Sequence, residues 1–433
     1  MTAEQTAAPP ETSAPASPTA AAVFVLVLIC AANAFNYVDR SALALVLPQV
    51  KAELRMSDTM LGLAVGLPFS LCYALFAIPA GWLADHWRRA PLLGVSLAVW
   101  SLFTGATGWV QSGLQLAVAR LGLGAAEAPG LPTSAAMIAE RFSRRWQALA
   151  FGALGSSAYV GLLVGFPIVG VIARDQGWRA AFMAISAAGL VLAVAFLVLV
   201  RDLAPASRSG AAAGRGQGAR QELAALLGNR SYVLVTTAGA LSAINLASMF
   251  GWGPTFLSRV WGLDPQQIGV YFGSLRGVAG LIGALSAGAL MSVLIRRNPA
   301  WQTRAPAIMA FLLFGTDAVF LLAPQWGWKL GLFGSAFLAA AIVAASYPLY
   351  VGVVSTRTRA LATAVYLLMA TLVGQTLGPL IVGALNDSLA SIYGGHAVRF
   401  TMLAVSSTTC LSGIAILLAG KTWRRDSERA GGG

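Results

Sequence analysis

Residues 180–200 read AAFMAISAAGLVLAVAFLVLV, a run of 21 residues without a single charge. About 20 consecutive apolar residues are enough to cross a bilayer as an α-helix. Eleven more apolar runs of similar kind occur along the chain, and charged residues make up only 10% of it. A soluble domain carries about 25% charged residues. The sequence therefore predicts an all-α membrane protein with twelve transmembrane helices.

One long interruption divides the twelve runs into two groups of six. The segment 201–231 is rich in Gly, Ala and Arg, which is typical of a flexible linker. We predict a cytoplasmic linker there, between an N-terminal six-helix bundle over 20–200 and a C-terminal six-helix bundle over 232–420. The segment 1–19 has no Lys or Arg, and a secretory signal needs a basic n-region. It is predicted to be a disordered cytoplasmic tail, and 421–433 a second cytoplasmic tail.

Lysine and arginine are distributed unevenly between the two sides of these runs. Nineteen lie on the linker side or in the C-terminal tail, seven lie in the opposite loops, and Arg40, Arg120 and Arg276 lie inside runs. Cytoplasmic loops carry the excess of positive charge. We therefore expect a multi-pass protein of a bacterial-type inner (plasma) membrane with both termini in the cytoplasm. The net charge of +13 is explained by these basic cytoplasmic loops. We therefore expect no nucleic-acid partner.

The two halves share an internal repeat. Three glycines of the fifth run recur in the eleventh run at a constant offset of 213 residues, and a proline accompanies each set. A repeat of six-span halves is one known plan of secondary transporters, so we expect two pseudosymmetric bundles. The two sets are Gly161, Gly165 and Gly170, and Gly374, Gly378 and Gly383.

Charged residues inside the runs are the candidates for function, because each costs roughly 2.5–3.5 kcal/mol on insertion scales. Arg120 and Glu127 are seven residues apart and therefore share one helix face. One interpretation is a central cavity with an anion-binding arginine and a protonatable carboxylate. The other is a set of salt bridges that only locks the bundle. Asp317, near the outer end of its run, is predicted to snorkel or to pair structurally. The six residues are Asp39, Arg40, Arg120, Glu127, Arg276 and Asp317.

The turn between the second and third runs is a candidate cytoplasmic gate, formed by Gly81, Asp85, Arg88 and Arg89. Gly81 permits close helix approach, and Asp85 could pair across the half with an arginine or a helix N-terminus. Making and breaking that contact would close and open the inner face. The alternative is a plain positive-inside turn, which explains the two arginines but not Asp85.

Enzyme signatures are absent from the sequence, which has no GxSxG, HExxH or P-loop motif. We therefore do not expect an enzyme or an ATP-driven pump, and we expect no cofactor. The three cysteines, Cys30, Cys72 and Cys410, stand alone in apolar runs. This pattern does not predict a metal site or a disulfide framework.

Six short motifs follow one another along about residues 30–420: FNYVDR at 35–40, GWLADHWRR at 81–89, RLGLGAAEA at 120–128, GWR at 177–179, WGPTFL at 252–257 and GPLIVGALND at 378–387. This ordered set resembles the spinster branch of the major facilitator superfamily. The resemblance implies proton-linked transport of amphipathic solutes, with lysophospholipids and sphingoid phosphates as the known cargo of the family. It also implies that Asp39 and Arg40 belong to coupling, and that Arg120 and Glu127 line the cavity.

We therefore expect a monomeric secondary active transporter that works by alternating access. Its partners would be protons, the lipid bilayer and an amphipathic or lipid-like anion of the lysophospholipid type. One alternative is a proton symporter for a small organic acid such as a sugar acid, and another is a non-transporting membrane receptor. A cavity rich in aromatics and Leu, rather than Lys, Asn and Gln, would favour the lipid-like substrate. We assign Asp39 and Glu127 to proton coupling, and Arg40, Arg120, Asn36, Tyr37 and Arg276 to substrate binding.

Overall fold

The computed structural model of the chain contains only helices, turns and irregular segments in the residues that it describes. Residues 1–16, which make up most of the predicted N-terminal tail, lie outside the described residues. Residues 203–218, the middle of the predicted linker, also lie outside the described residues. The disordered tail and the flexible linker therefore stay predictions. The described residues are 17–202, 219–324, 326–355 and 358–431.

The N-terminal half contains seven helices that make six crossings. The fourth crossing is divided at Pro129, because proline has no N–H to donate and its ring disfavours a continuous helix. The helices are α1 (Ala20–Leu54), α2 (Asp58–His86), α3 (Arg89–Thr107), α4 (Gly113–Glu127), α5 (Gly130–Arg141), α6 (Arg144–Asp175) and α7 (Gly177–Leu199).

The C-terminal half also makes six crossings. Its second and fifth crossings each contain a π-helical segment, at Gly269–Gly273 and Ala370–Gly374, a feature that occurs often at functional sites. The helices are α8 (Ala219–Gly228), α9 (Arg230–Trp261), α10 (Pro265–Ile268), α11 (Ser274–Arg297), α12 (Trp301–Leu322), α13 (Gly327–Val351), α14 (Arg359–Met369), α15 (Gln375–Tyr393), α16 (Ala397–Ser406) and α17 (Thr408–Gly431).

The described residues contain ten helical stretches long and apolar enough to cross a membrane. One of them, Leu361–Ala430, reverses at Gly394, whose φ of +53° suits glycine, and it therefore holds two crossings. The crossing that Pro129 divides adds one more. The prediction of an all-α protein with twelve transmembrane helices is confirmed.

Helix α8 lies inside the segment predicted as a linker and packs on the C-terminal half. Its Leu226 is buried in a cluster with Tyr350. Asn229, which follows α8, accepts a hydrogen bond from the backbone N–H of Tyr232 at 3.0 Å and donates to the backbone carbonyl of Val353 at 2.8 Å. These contacts fix the entry into α9.

The glycine repeat occupies equivalent positions in the two halves. A Cβ built on Gly161 would lie 2.4 Å from the carbonyl oxygen of Ala34, and one built on Gly374 would lie 2.4 Å from Ala243. Gly161 therefore lets α6 approach α1 closely, and Gly374 lets the π-helical segment before α15 approach α9 closely. The predicted pseudosymmetry of the two bundles is confirmed.

The last glycine of each set, Gly170 or Gly383, joins one half to the other. A Cβ on Gly170 would lie 2.4 Å from the carbonyl oxygen of Pro265, and one on Gly383 would lie 2.3 Å from that of Asp58. Only glycine allows backbones to meet this closely. Both contacts lie at the end of the molecule opposite to the described chain ends, where α2 packs on α15 and α6 packs on α10.

The halves diverge toward the end that carries residues 17 and 431. There α5 packs mainly on α2, α3 and α6 of its own half, and α14 packs mainly on α9 and α13 of its own. A Cβ built on Gly81 would meet no described atom within 4 Å. The cleft between the halves is therefore closed at one end and opens at the end of the chain termini.

Candidate functional site

An ion pair between the first and fourth crossings lies at the centre of the N-terminal half. Arg40 Nε donates to Glu127 Oε2 at 2.6 Å. Glu127 is fully buried, whereas the side chain of Arg40 keeps 25% of its surface exposed. The guanidinium carbon of Arg40 lies 4.5 Å from the ring centre of Phe69 and 4.8 Å from that of Tyr73. Arg40 is thus a partly accessible cation between two aromatic rings of α2.

Asp39 points away from its neighbour Arg40, because successive residues of a helix are about 100° apart. It is completely buried and accepts a hydrogen bond from the hydroxyl of Thr104 on α3. Its second oxygen, Oδ1, has no partner among the described residues. Burying an unpaired carboxylate is costly, and such groups tend to take up a proton. Asp39 therefore has the surroundings of a proton-binding carboxyl.

Arg120 is buried between these carboxylates and interacts electrostatically with both Asp39 and Glu127. Its Nε and Nη2 have no hydrogen-bond partner among the described residues. Its guanidinium carbon lies 5.9 Å from the ring centre of Phe182. The seven-residue spacing thus brings Arg120 and Glu127 into the same interior, as the sequence predicts, but Glu127 pairs with Arg40. The role of Arg120 in substrate binding stays a prediction.

Replacing Arg120 tests that role. We expect Arg120→Ala to abolish transport and Arg120→Lys to weaken apparent substrate affinity by roughly tenfold, which corresponds to about 1.4 kcal/mol. The reason is that an ammonium cannot reproduce the planar fork with which a guanidinium holds an anion. The measurement is concentration-dependent uptake in proteoliposomes, with the exposed Arg425→Lys as the control. Unchanged affinity in both Arg120 variants would leave only a locking role.

A second arginine enters the cleft from the C-terminal half. Arg276 on α11 is buried, and its guanidinium carbon lies 5.4 Å from the ring centre of Phe250 and 5.1 Å from that of Phe272. It interacts electrostatically with Tyr159 on α6. Because Tyr159 belongs to the N-terminal half, Arg276 lies at the boundary between the two halves.

Two tyrosines connect the arginines across the cleft. Tyr37 is 41% exposed and interacts electrostatically with Arg40 and with Tyr159, which in turn faces Arg276. Asn36 is partly exposed and lies close to Glu127. The structure therefore brings all the predicted substrate-binding residues to the middle of the molecule, with Arg40 and Arg276 on opposite sides of the cleft.

Of the two expectations for Asp317, snorkelling and structural pairing, the structure shows the second. Its side chain is completely buried and accepts hydrogen bonds from Asn245 Nδ2 at 2.9 Å and from Ser406 Oγ at 2.6 Å. A carboxylate one methylene from the backbone is too short to reach the interface, so the packing of α12 against α16 decides its surroundings. The pairing is with polar neutral groups inside the C-terminal half.

The central residue of the predicted gate is free in this conformation. Asp85 is exposed at the end of α2 and makes no hydrogen bond or ion pair with any described residue. Since the cleft is open at this end, a contact that closes it would be absent here. The gating role of Gly81 and Asp85 stays a prediction.

The two arginines of the gate turn have partners in their own half. Arg88 Nε lies 3.2 Å from Asp202 Oδ2, and Arg89 forms an ion pair with Glu140. Asp202 Oδ1 also accepts from the backbone N–H of Ala90 at 2.7 Å, which caps the start of α3. The sequence offered no sign of this use of Asp202, because 112 residues separate it from the N–H that it binds.

An ion-paired cluster, which we call the outer cluster, closes the opposite end of the cleft. Asp58 accepts from Arg259 Nη1 at 2.5 Å and Nη2 at 2.7 Å, and from Lys51 Nζ at 2.5 Å. Asp387 accepts from the backbone N–H groups of Asp58 at 3.0 Å and Thr59 at 2.8 Å. Sequence reasoning missed these residues, because they lie near the ends of four different helices and only the packed halves bring them together.

Comparison with known proteins agrees with this architecture. The sequence model described as Major Facilitator Superfamily matches residues 29–379. The chain belongs to the major facilitator superfamily. It is 31% identical over 414 residues to an MFS-type efflux pump of Mycolicibacterium smegmatis, covering 94% of each chain. It is 27% identical to a probable L-galactonate transporter of Escherichia coli K12, covering 69% of this chain and 68% of that one.

A solved structure extends the comparison to the whole fold. It is the inward-facing, unoccupied structure of a bacterial homologue to the human lysosomal transporter spinster. The match covers 95% of this chain and 99% of that chain, with a TM-score of 0.80 and 21% sequence identity. The resemblance to the spinster branch is thereby confirmed. This major facilitator protein is a membrane transporter and not an enzyme.

Proposed function

We propose that this major facilitator protein is a proton-coupled symporter of an amphipathic, lipid-like anion of the lysophospholipid type, acting by alternating access. The observation that supports this most directly is the partly exposed Arg40, paired with buried Glu127 and flanked by aromatic rings. We further propose an inner-membrane location with both termini in the cytoplasm, from the distribution of Lys and Arg. In that orientation the present conformation faces inward.

Competition for Arg40 would couple the anion to the proton. An anion that binds Arg40 displaces Glu127 from its ion pair at 2.6 Å, and the buried carboxylate that remains is then stabilised by a proton. Proton and anion binding therefore favour each other, and the linkage is reciprocal. Asp39, which has no ion-pair partner among the described residues, would carry the proton through the cycle, with Glu127 as the substrate-linked group.

The surroundings of both arginines favour a substrate with an apolar portion. Phe69 and Tyr73 flank Arg40, and Phe250 and Phe272 flank Arg276. Tyr73 and Phe250 are only partly buried, so their faces, which attract cations, can also pack on an apolar chain. The second candidate, a small sugar acid, is supported by the similarity to the probable L-galactonate transporter.

Reconstitution distinguishes the candidates. Purified protein in liposomes is supplied with fluorescent lysophosphatidylglycerol or with radiolabelled galactonate, with and without an inward-directed proton gradient. Lysolipids enter bilayers spontaneously, so transfer across the membrane is measured by albumin back-extraction against protein-free and Arg40→Ala liposomes. We expect gradient-stimulated transfer of the lysolipid. Stimulated uptake of galactonate alone would establish the sugar-acid alternative, and no transfer of either would rule out both substrate classes.

Replacing Asp85 tests the gate. We expect Asp85→Asn to slow substrate exchange by roughly tenfold, because about 1.4 kcal/mol is lost from the state in which the terminal end of the cleft is closed. Protein abundance should stay near normal, since Asp85 makes no hydrogen bond or ion pair with the part of the chain that the structure describes. Exchange rates at equal expression are compared with those of Glu428→Gln, an exposed acid at the same end. Equal rates would reduce Asp85 to a loop charge.

A further inference from the structure

Two buried side chains in the C-terminal half each keep one oxygen atom without a hydrogen bond among the described residues, although the Ser335 hydroxyl also lies near the Asp317 carboxyl group. Asp317 Oδ1 and Asn245 Oδ1 have no hydrogen-bond partner among the described residues. They belong to two side chains that are already joined, since Asn245 Nδ2 donates to Asp317 Oδ2 at 2.9 Å. Asp317 is 0% exposed and Asn245 is 1% exposed. Two acceptors without a hydrogen bond on a buried pair of side chains carry a large desolvation cost.

A single proton gives both atoms a partner. A protonated Asp317 has an O–H group that can donate to Asn245 Oδ1, while Asn245 Nδ2 continues to donate to the other carboxyl oxygen. A bound cation fits less well. The Asn245 amide and the Ser406 hydroxyl both direct donors at the carboxyl group, and the positive charge of Arg276 acts on the same site.

Arg276 is the charged group that faces Asp317. The two side chains are not in ion-pair contact, yet they interact electrostatically, and Tyr159 from α6 faces the arginine from the other half. Neutral groups face the carboxyl from the other helices packed around it, namely Asn245 of α9, Ser335 of α13 and Ser406 of α16. The titratable groups next along the packed helices are Lys329 of α13, which lies on the Tyr271 ring, Arg399 of α16 and Cys410 of α17.

We propose that Asp317 is a second proton-binding carboxyl, which holds its proton at neutral pH and so leaves the charge of Arg276 free to attract an anion into the cleft. Loss of this proton at alkaline pH creates a carboxylate that compensates Arg276 and lowers the affinity for the anion. This site lies outside the N-terminal coupling group, and its link to substrate affinity rests on the proposed function. The protonation of Asp317 does not depend on the proposed function.

Infrared difference spectroscopy tests the protonation without any substrate. The carbonyl stretch of protonated carboxyl groups is recorded for protein in nanodiscs while the pH is raised. We expect Asp317→Asn to lack one band that the wild type shows at neutral pH, and the exposed Asp175→Asn to lack none. Arg276→Gln should retain the band to higher pH, because the positive charge that favours the carboxylate is gone. That variant reports on the site even if Asp317→Asn folds poorly.

Three results would overturn the proposal. They are an identical set of bands in wild type and Asp317→Asn, an unchanged titration in Arg276→Gln, and stabilisation of the wild type but not of Asp317→Asn by sodium ions, which would make this a cation site. A transport experiment tests the proposed link to substrate affinity separately from the protonation. With lysophosphatidylglycerol as the probe, Asp317→Asn should keep its neutral-pH affinity and lose the alkaline decline. If no probe is transported, the infrared result still stands by itself.

Discussion

Asp39→Asn is expected to lose accumulation driven by a pH gradient while it retains exchange of substrate for substrate. A gradient of one pH unit supplies about 1.36 kcal/mol per proton, which corresponds to about tenfold accumulation of substrate. In the variant the ratio of internal to external substrate should fall to near one. Asparagine has nearly the same shape and can still accept the hydrogen bond from Thr104, but it cannot bind and release a proton. Accumulation and counterflow are measured in the same proteoliposomes.

Asp317→Asn is the matched control for this experiment. It makes the same change in a buried carboxyl of the other half, and we expect its accumulation at neutral pH to match the wild type. Full accumulation by Asp39→Asn would remove Asp39 as the proton carrier. The same measurement on Glu127→Gln would then decide whether that role belongs to the partner of Arg40.

Asp58→Asn is expected to open the outer cluster and shift the protein toward the conformation that faces the opposite side. Breaking a buried ion pair costs about 3–5 kcal/mol. We take a value below that range, about 2.8 kcal/mol or a hundredfold shift in population, because Lys51 and Arg259 keep some contact with water. In the opposite conformation Asp58 and Arg259 are already apart, and the contact with Lys51 inside the N-terminal half is weakened in both conformations. The change therefore falls mainly on the conformation described here.

A cysteine at Thr376 reports this shift. Thr376 is buried between the halves, where its hydroxyl lies 2.7 Å from that of Ser70. In a variant without the three native cysteines, labelling of Thr376→Cys by an impermeant maleimide from outside intact cells should rise strongly when Asp58→Asn is added. Glu53→Gln is the control, since Glu53 bonds to Arg179 within the N-terminal half. Equal labelling in the two variants would show that the outer cluster does not hold the halves together.

Much of the fold could be predicted because a transmembrane helix is a local property of the chain. An apolar run must form its own backbone hydrogen bonds in lipid, so composition alone located twelve crossings. The glycine repeat predicted the pseudosymmetry, since close backbone approach requires glycine wherever it occurs. Helix α8 was not foreseen, because its stability comes from the burial of Leu226 against distant residues and not from its own short sequence.

The candidate site also has some features that the sequence determined and others that only the tertiary structure decided. The sequence determined which charges lie inside the membrane and that Arg120 and Glu127 share a face, because helix periodicity fixes direction over a few turns. Only the tertiary structure decided that Glu127 pairs with Arg40, 87 residues away, that Asp58 meets Arg259 across 201 residues, and that Asp317 is buried with Asn245. Ion pairs between helices depend on how the helices pack, and packing depends on surfaces spread over the whole chain.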